Sequence, residues 1–157
     1  MATGRLIAVE LDPTSIGRAA PDIEHERKIA IADLMDEGRI DLPGESDGSY
    51  LLGLSLIDDK LAVSLNDQGG DCLAHSAMAL PPIRKLVRDY FLVCDSYYAA
   101  VRTATPEQIE AIDMGRRSLH DEGSILLKER MEARMGLDFE TARRLFTLVC
   151  ALLWKGS

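Results

Sequence analysis

The sequence predicts an α+β protein, with a helical layer packed on an antiparallel sheet, in the order β-α-β-β-β-α-α-α. Three observations lead to this class. Short apolar runs at hairpin spacing fill residues 50–80, and the hydrophobic period changes from two to 3.6 after Pro81-Pro82. Long amphipathic stretches then follow with recognisable start and stop signals, a segregation of strands and helices that a parallel α/β fold does not have.

Taken in order, Arg5–Asp12 (RLIAVELD) reads as a strand ending in an Asp12-Pro13 turn. A helix is expected from about Asp22 to Glu37, closed by Gly38. Asp41–Ser49 (DLPGESDGS) has the composition of a loop. Tyr50–Ile57, Lys60–Leu65 and about Cys72–Leu80 form a meander, turned by Asp58-Asp59 and by Asn66–Asp71 with its Gly69-Gly70. Ile83–Arg102 places Ile83, Leu86, Val87, Tyr90, Phe91, Val93, Cys94, Tyr97, Tyr98 and Val101 on one helical face, opposite a charged face with Arg84, Lys85 and Arg88. Thr105-Pro106-Glu107-Gln108 is a capping box with proline at the first helical position, opening a helix to about Met135 that Gly136 stops. Asp138 can cap the last helix, Phe139–Trp154, whose second half is apolar on nearly every side and therefore central.

The 157 residues suit a single domain over 1–157, with a sheet-containing half of about 1–80 and a helical half of about 81–157. A chain of this length buries roughly 70% of its unfolded surface. Its net charge of −8 is uneven: residues 1–80 hold six Lys and Arg against fifteen Asp and Glu, whereas residues 81–157 hold twelve against eleven. Duplex DNA, which needs many phosphate contacts, is an unsuitable partner for such a chain. RNA is open only through a local patch built from Arg116-Arg117, Arg143-Arg144 and Arg84/Lys85/Arg88. The longest apolar stretch, Leu145–Trp154, is about half the ~20 residues of a membrane span. The opening MATGRLIAVELDP reaches Glu10 and Asp12 after a short apolar run, so neither a secretory leader nor a membrane role is expected. Cys72, Cys94 and Cys150 form neither a CxxC pair nor a Cys/His cluster, which predicts reduced thiols in a cytoplasmic protein and no metal. Neither a P-loop nor a dinucleotide fingerprint is present, so no cofactor is expected.

Chemistry-bearing candidates lie mainly on the Thr105 helix. Glu110, Asp113, Arg117, His120 and Ser124 fall within roughly an 80° arc, which suits acid–base work or anion binding. The competing reading is a solvated face laced with i,i+4 ion pairs. Arg116 falls inside the apolar arc of Ile109, Ile112, Leu119 and Leu126, and Arg27 falls likewise among Ile23, Ala30, Ile31 and Leu34. A buried guanidinium needs a carboxylate or bound anion, so these two arginines could line a pocket; alternatively they snorkel to water. Glu24-His25-Glu26 does not make a metal site, because adjacent helical residues point about 100° apart. Tyr97 and Tyr98 are read as core residues in preference to stacking platforms.

Three stretches, RDYFLVCDSYYAAVRTATPEQIEAIDMGRRSLHDEG (88–123), SIGRAAPDIEHER (15–27) and FETARRLFTLVCALLWKG (139–156), resemble uncharacterised protein family 0262, small proteins found mainly in alphaproteobacteria. The resemblance runs over essentially the whole chain and implies a bacterial cytosolic protein, but carries over no catalytic residue. Members tend to hold a hydroxyl residue just before the proline of the first helix. Here that position is Ala20, leaving Asp22 as the substitute cap.

With no catalytic signature, the chain is expected to be a non-enzymatic binding or regulatory module engaging a protein partner, with self-association an open possibility. The alternatives are a small enzyme or ligand-binding protein using Arg27, Arg116, Arg117, Glu110, Asp113 and His120 on an anionic substrate, or an RNA- or ribosome-associated protein.

Overall fold

In the computed structural model, which describes residues 4–43 and 48–153, six strands and four helices follow one another as β1 (Gly4–Leu11), α1 (Pro21–Glu37), β2 (Arg39–Asp41), β3 (Ser49–Ile57), β4 (Lys60–Asn66), β5 (Cys72–Ala79), α2 (Leu80–Thr103), α3 (Pro106–Met131), β6 (Gly136–Leu137) and α4 (Phe139–Leu153). The class is α+β, as expected. The sheet is mixed, not antiparallel: its order is β5-β4-β3-β1-β2-β6, and β1 runs parallel to β3. The reason is a double reversal: after α1 the chain returns beside β1 as antiparallel β2, and β3, on the other side of β1, runs opposite to β2 and therefore parallel to β1. Residues 44–47 of the expected loop and Trp154 at the end of the expected last helix lie outside the described residues.

The meander forms because three alternating runs each turn one apolar face inward: Leu52 and Leu54, Leu61, Val63 and Leu65, and Met78 are buried. Its first turn, Asp58-Asp59, holds both central residues at positive φ (53° and 59°), the geometry that matches strand twist in a two-residue hairpin. In the second turn the Asp67 carboxylate accepts from the amides of Gly69 and Asp71.

Local signals also set the helix ends. Thr105 Oγ1 accepts from the Gln108 amide at 3.3 Å while Gln108 Oε1 accepts from the Thr105 amide at 3.0 Å, so the capping box closes at both ends. Asp138 Oδ1 accepts from the Thr141 amide at 2.8 Å and starts α4. Asp22 does not cap α1, because it lies inside the first turn. Ala20 is the N-cap residue, and Glu24 reaches back to accept from the Ala19 amide at 2.7 Å.

One helical layer covers the sheet. Helix α4 packs on α1 and α3, and α2 packs on α3. Phe146 of α4 is fully buried against Gly123 of α3, where an added Cβ would meet the Phe146 ring 2.2–2.6 Å away. Helix propensity alone favours Gly123→Ala by about 1 kcal/mol. The buried ring cannot swing clear, so we expect net destabilisation of about 1–2 kcal/mol by urea unfolding. A gain in stability would show that the contact is loose.

Candidate functional site

Two cavities lie on either side of α1, and Ile23 lines both. The larger, of about 670 Å³, is bounded by the β1–α1 loop, the β3–β4 turn, the start of α2 and the end of α4. Its loop is locked by Asp12, whose carboxylate accepts from the Ser15 amide at 3.1 Å, and by Ser15, whose hydroxyl accepts from the Leu56 amide at 3.0 Å. The Ser15 hydroxyl first, and then the Ser15 and Thr14 amides, hold the Asp12 carboxyl below its usual range.

Three guanidiniums line this cavity: Arg18 from the loop, Arg27 from α1 and Arg84 from α2. Arg84 stands one turn into α2, where helical side chains lean back toward the N-terminus and so over the cavity. Arg27 is only 5% exposed, and its head is fixed. Nε donates to the Ala151 carbonyl at 3.0 Å, Nη2 to the Leu152 carbonyl at 3.4 Å, and Nη1 to the Gly17 carbonyl at 2.9 Å and to Glu24 Oε1 at 3.1 Å. It thus satisfies the carboxyl end of α4, where orphan carbonyls and the helix dipole both favour a cation. Arg18 and Arg84 form no ion pair among the described residues. Asp59 supplies a single carboxylate to the same walls, leaving a positive excess.

The second cavity, of about 500 Å³, lies between α1, α2 and α4, with His120 of α3 in its wall. His120 is 9% exposed, and its ring lies edge-on to Tyr90 and Phe146, 5.4 and 5.1 Å between centroids. Thr147 Oγ1 donates to the Arg143 carbonyl at 3.1 Å, so at 2.8 Å it accepts from His120 Nε2–H. Among the described residues the buried Nδ1 lone pair has no partner. Burial, with the Arg143 guanidinium second, lowers the His120 pKa from 6.5 to about 4. Burial also raises the phenol of Tyr90 to about 12 and pushes up the thiols of Cys94 and Cys150. Cys94 is half-buried and Cys150 buried, as inert packing thiols would be, whereas Cys72 is exposed.

The predicted stripe on α3 does not form one site. Glu110 is exposed. Asp113 accepts bidentate bonds from Arg116 at 2.9 and 2.7 Å and is gripped from its other oxygen by Arg117, which holds its carboxyl below the usual range. His120 and Ser124 are buried, the latter donating to the His120 carbonyl. The stripe therefore runs from solvent into the core. Arg116, its side chain 32% exposed, lies 6.0 Å from the Tyr97 ring centroid and shares no partner with Arg27. Tyr98 corrects its reading as core, being 72% exposed. The remaining arginine pair is also engaged: Arg143 with Asp121 at 2.8 Å, Arg144 with Glu37 at 2.8 Å. Among the described residues no group of three or more His, Cys, Asp or Glu is placed to hold a metal, and no helix is long and apolar enough to cross a membrane.

The family model described as "Uncharacterised protein family (UPF0262)" matches residues 3–155. A UPF0262 protein of Azorhizobium caulinodans is 54% identical over 154 residues, covering 97% of this chain and 95% of its own length. One from Chelativorans is 55% identical over 155 residues (98% and 96%), and one from Rhizobium etli 54% over 159 residues (99% and 100%). No solved structure matches.

Proposed function

The chain belongs to the uncharacterised protein family UPF0262, and from that premise we propose that it is a non-enzymatic binding module whose ligand is a small anion held in the arginine-lined cavity. One observation carries this reading: Arg18 and Arg84 have no anionic partner among the described residues, yet line the same concave space as the buried Arg27. The volume, about 670 Å³, is in the range of small-molecule sites. The overall charge of −8 repels a polyanion such as RNA, and the protein's arginine pairs on α3 and α4 are in any case engaged by Asp113, Asp121 and Glu37. A compact phosphate or carboxylate feels mainly the local guanidiniums, because the distant charges are screened beyond about 8 Å at physiological salt.

Calorimetric titration with inorganic pyrophosphate tests the proposal. Binding should weaken as salt rises, and Arg18→Gln and Arg84→Gln should each reduce affinity about tenfold, the loss of one charge-assisted bond. Unchanged affinity in both variants refutes it.

A protein partner is the second reading, favoured by Val101, 51% exposed at the end of the apolar stripe of α2. Other exposed apolar residues, such as Leu92 and Met114, stand on helix faces turned from the core and are ordinary single exposures. The discriminating measurement is native co-purification: a partner retained by the wild type and lost with Val101→Ser supports this second reading.

A further inference from the structure

We propose, building on the anion-site reading above, that the ligand of the arginine-lined cavity is a zwitterion of the aliphatic amino-acid type. Its carboxylate is held by Arg18 and Arg84, its ammonium by Asp59, and its side chain by Ile16, Ile23 and Leu56. The starting point is charges that share a space without neutralising one another. Arg18, Arg84 and Asp59 all line the cavity, yet none of them forms an ion pair or a side-chain hydrogen bond among the described residues. Opposite charges held apart in one concavity are complementary to a guest that carries both signs. A purely anionic guest meets repulsion from Asp59, and a purely cationic one meets two guanidiniums.

The backbone under these three side chains is fixed before a ligand arrives. Arg18 is clamped from both sides: the Gly17 carbonyl accepts from Arg27 Nη1 at 2.9 Å, the Ala19 amide donates to Glu24 Oε1 at 2.7 Å, and Arg27 pairs with Glu24 at 3.1 Å. Asp59 stands at φ 59° in the β3–β4 turn, and its carbonyl accepts from the Leu80 amide at 3.0 Å, which ties the turn to the start of α2. Arg84 follows Leu80 by one turn of that helix. Such preorganisation lowers the ordering cost of binding. Arg27 itself is left out of the ligand set, because its head is committed to Gly17, Glu24 and the end of α4.

The remaining walls determine the side chain. Ile16, Ile23 and Leu56 line the cavity half-buried, and the buried Leu80, Leu152 and Leu153 close it from below. Among the described residues no aromatic ring and no amide side chain lines it, and the Ser15 hydroxyl is spent on Asp12 and the Leu56 amide. A polar side chain finds no partner there and an aromatic one no stacking face, so an aliphatic one fits best. At about 670 Å³ the cavity admits a short aliphatic peptide as well as a single amino acid, and both carry the same three groups.

Leucine and leucyl-leucine are the probes, titrated calorimetrically against the full chain, and the tighter of the two identifies the source. Isocaproate (leucine without its ammonium group), alanine and inorganic pyrophosphate are the comparisons. Isocaproate should bind about tenfold or more weaker than the better zwitterion, and alanine likewise for its missing aliphatic carbons. Asp59→Asn is the decisive variant, and asparagine tolerates the positive φ of the turn, so folding survives it. It should weaken the zwitterion about tenfold, while isocaproate and pyrophosphate bind as well or better because a negative charge has left the wall. The proposal fails if isocaproate or alanine matches both zwitterions, or if Asp59→Asn weakens neither of them. Pyrophosphate bound with both zwitterions unbound overturns it and leaves the anion site standing. Pyrophosphate affinity unchanged in Arg18→Gln and Arg84→Gln overturns the anion site itself.

Discussion

Replacing Arg27 with methionine is expected to lower stability by about 3 kcal/mol, and the midpoint of thermal unfolding by about 6–12 °C for a chain of this size. The stem of methionine fills the same space, so the loss isolates the guanidinium. Without it the carbonyls of Gly17, Ala151 and Leu152 lose their donor, and Glu24 loses its cation. Each buried acceptor left bare costs roughly 1–3 kcal/mol, but the costs are not additive, because the end of α4 can fray into water. Arg27→Lys is the informative companion. Lysine restores the charge but cannot span two helix-end carbonyls and the Gly17 carbonyl at once, so about half of the loss should remain. Differential scanning calorimetry of the two variants decides it. If methionine shifts the midpoint by less than about 2 °C, the guanidinium is not holding the two ends of the chain together.

This arginine shows how far the sequence could be read. Its presence within the apolar arc of α1 marked it as anomalous, because helical periodicity is a local property. Glu24 lies within helical spacing at i,i+3, but the arginine's partners at the end of α4 are 124 and 125 residues away, and no spacing rule reaches them. The same division runs through the molecule. Thr105 and Gln108 announced their capping box because both halves of it lie within four residues. Arg18 carries no signal, sitting in a Gly/Ala/Pro stretch, and Arg84 reads only as part of a surface basic patch with Lys85 and Arg88. They meet only because α2 begins directly at the end of β5 and the β1–α1 loop lies across it. Strands β2 and β6 were invisible for a different reason, since three and two residues are too few to show alternation. Without them, and with only neighbouring hairpins legible, the parallel pairing of β1 and β3 could not be anticipated. The polar stripe of α3 misled because a helical wheel records angle and not depth. Asp113 and His120 share a face, but one lies under surface guanidiniums and the other against Phe146.

That depth makes His120 the source of a strong acid sensitivity. Its folded pKa is about 4 against an ordinary 6.5, depressed chiefly by burial and then by Arg143. The neutral ring is therefore the form the fold accommodates, and the unfolded chain binds the proton more tightly. Its contribution is complete above pH 6.5 and is lost as pH falls from 6.5 toward 4. The full difference is worth about 3 kcal/mol, of which about 2 should already be gone at pH 5. Carboxylates held low by hydrogen bonds, Asp12 by Ser15 and Asp113 by Arg116 and Arg117, keep their contribution above their ordinary 3.8 and lose it mainly below that value, outside this window. His120→Gln keeps a donor within reach of Thr147 and removes the titration. Urea unfolding at pH 7 and pH 5 should then show a drop of about 2 kcal/mol for the wild type and almost none for the variant. Parallel drops in both proteins would place the acid sensitivity elsewhere. They would also mean that the imidazole is already open to water, and with it the floor of the groove that α1, α2 and α4 enclose.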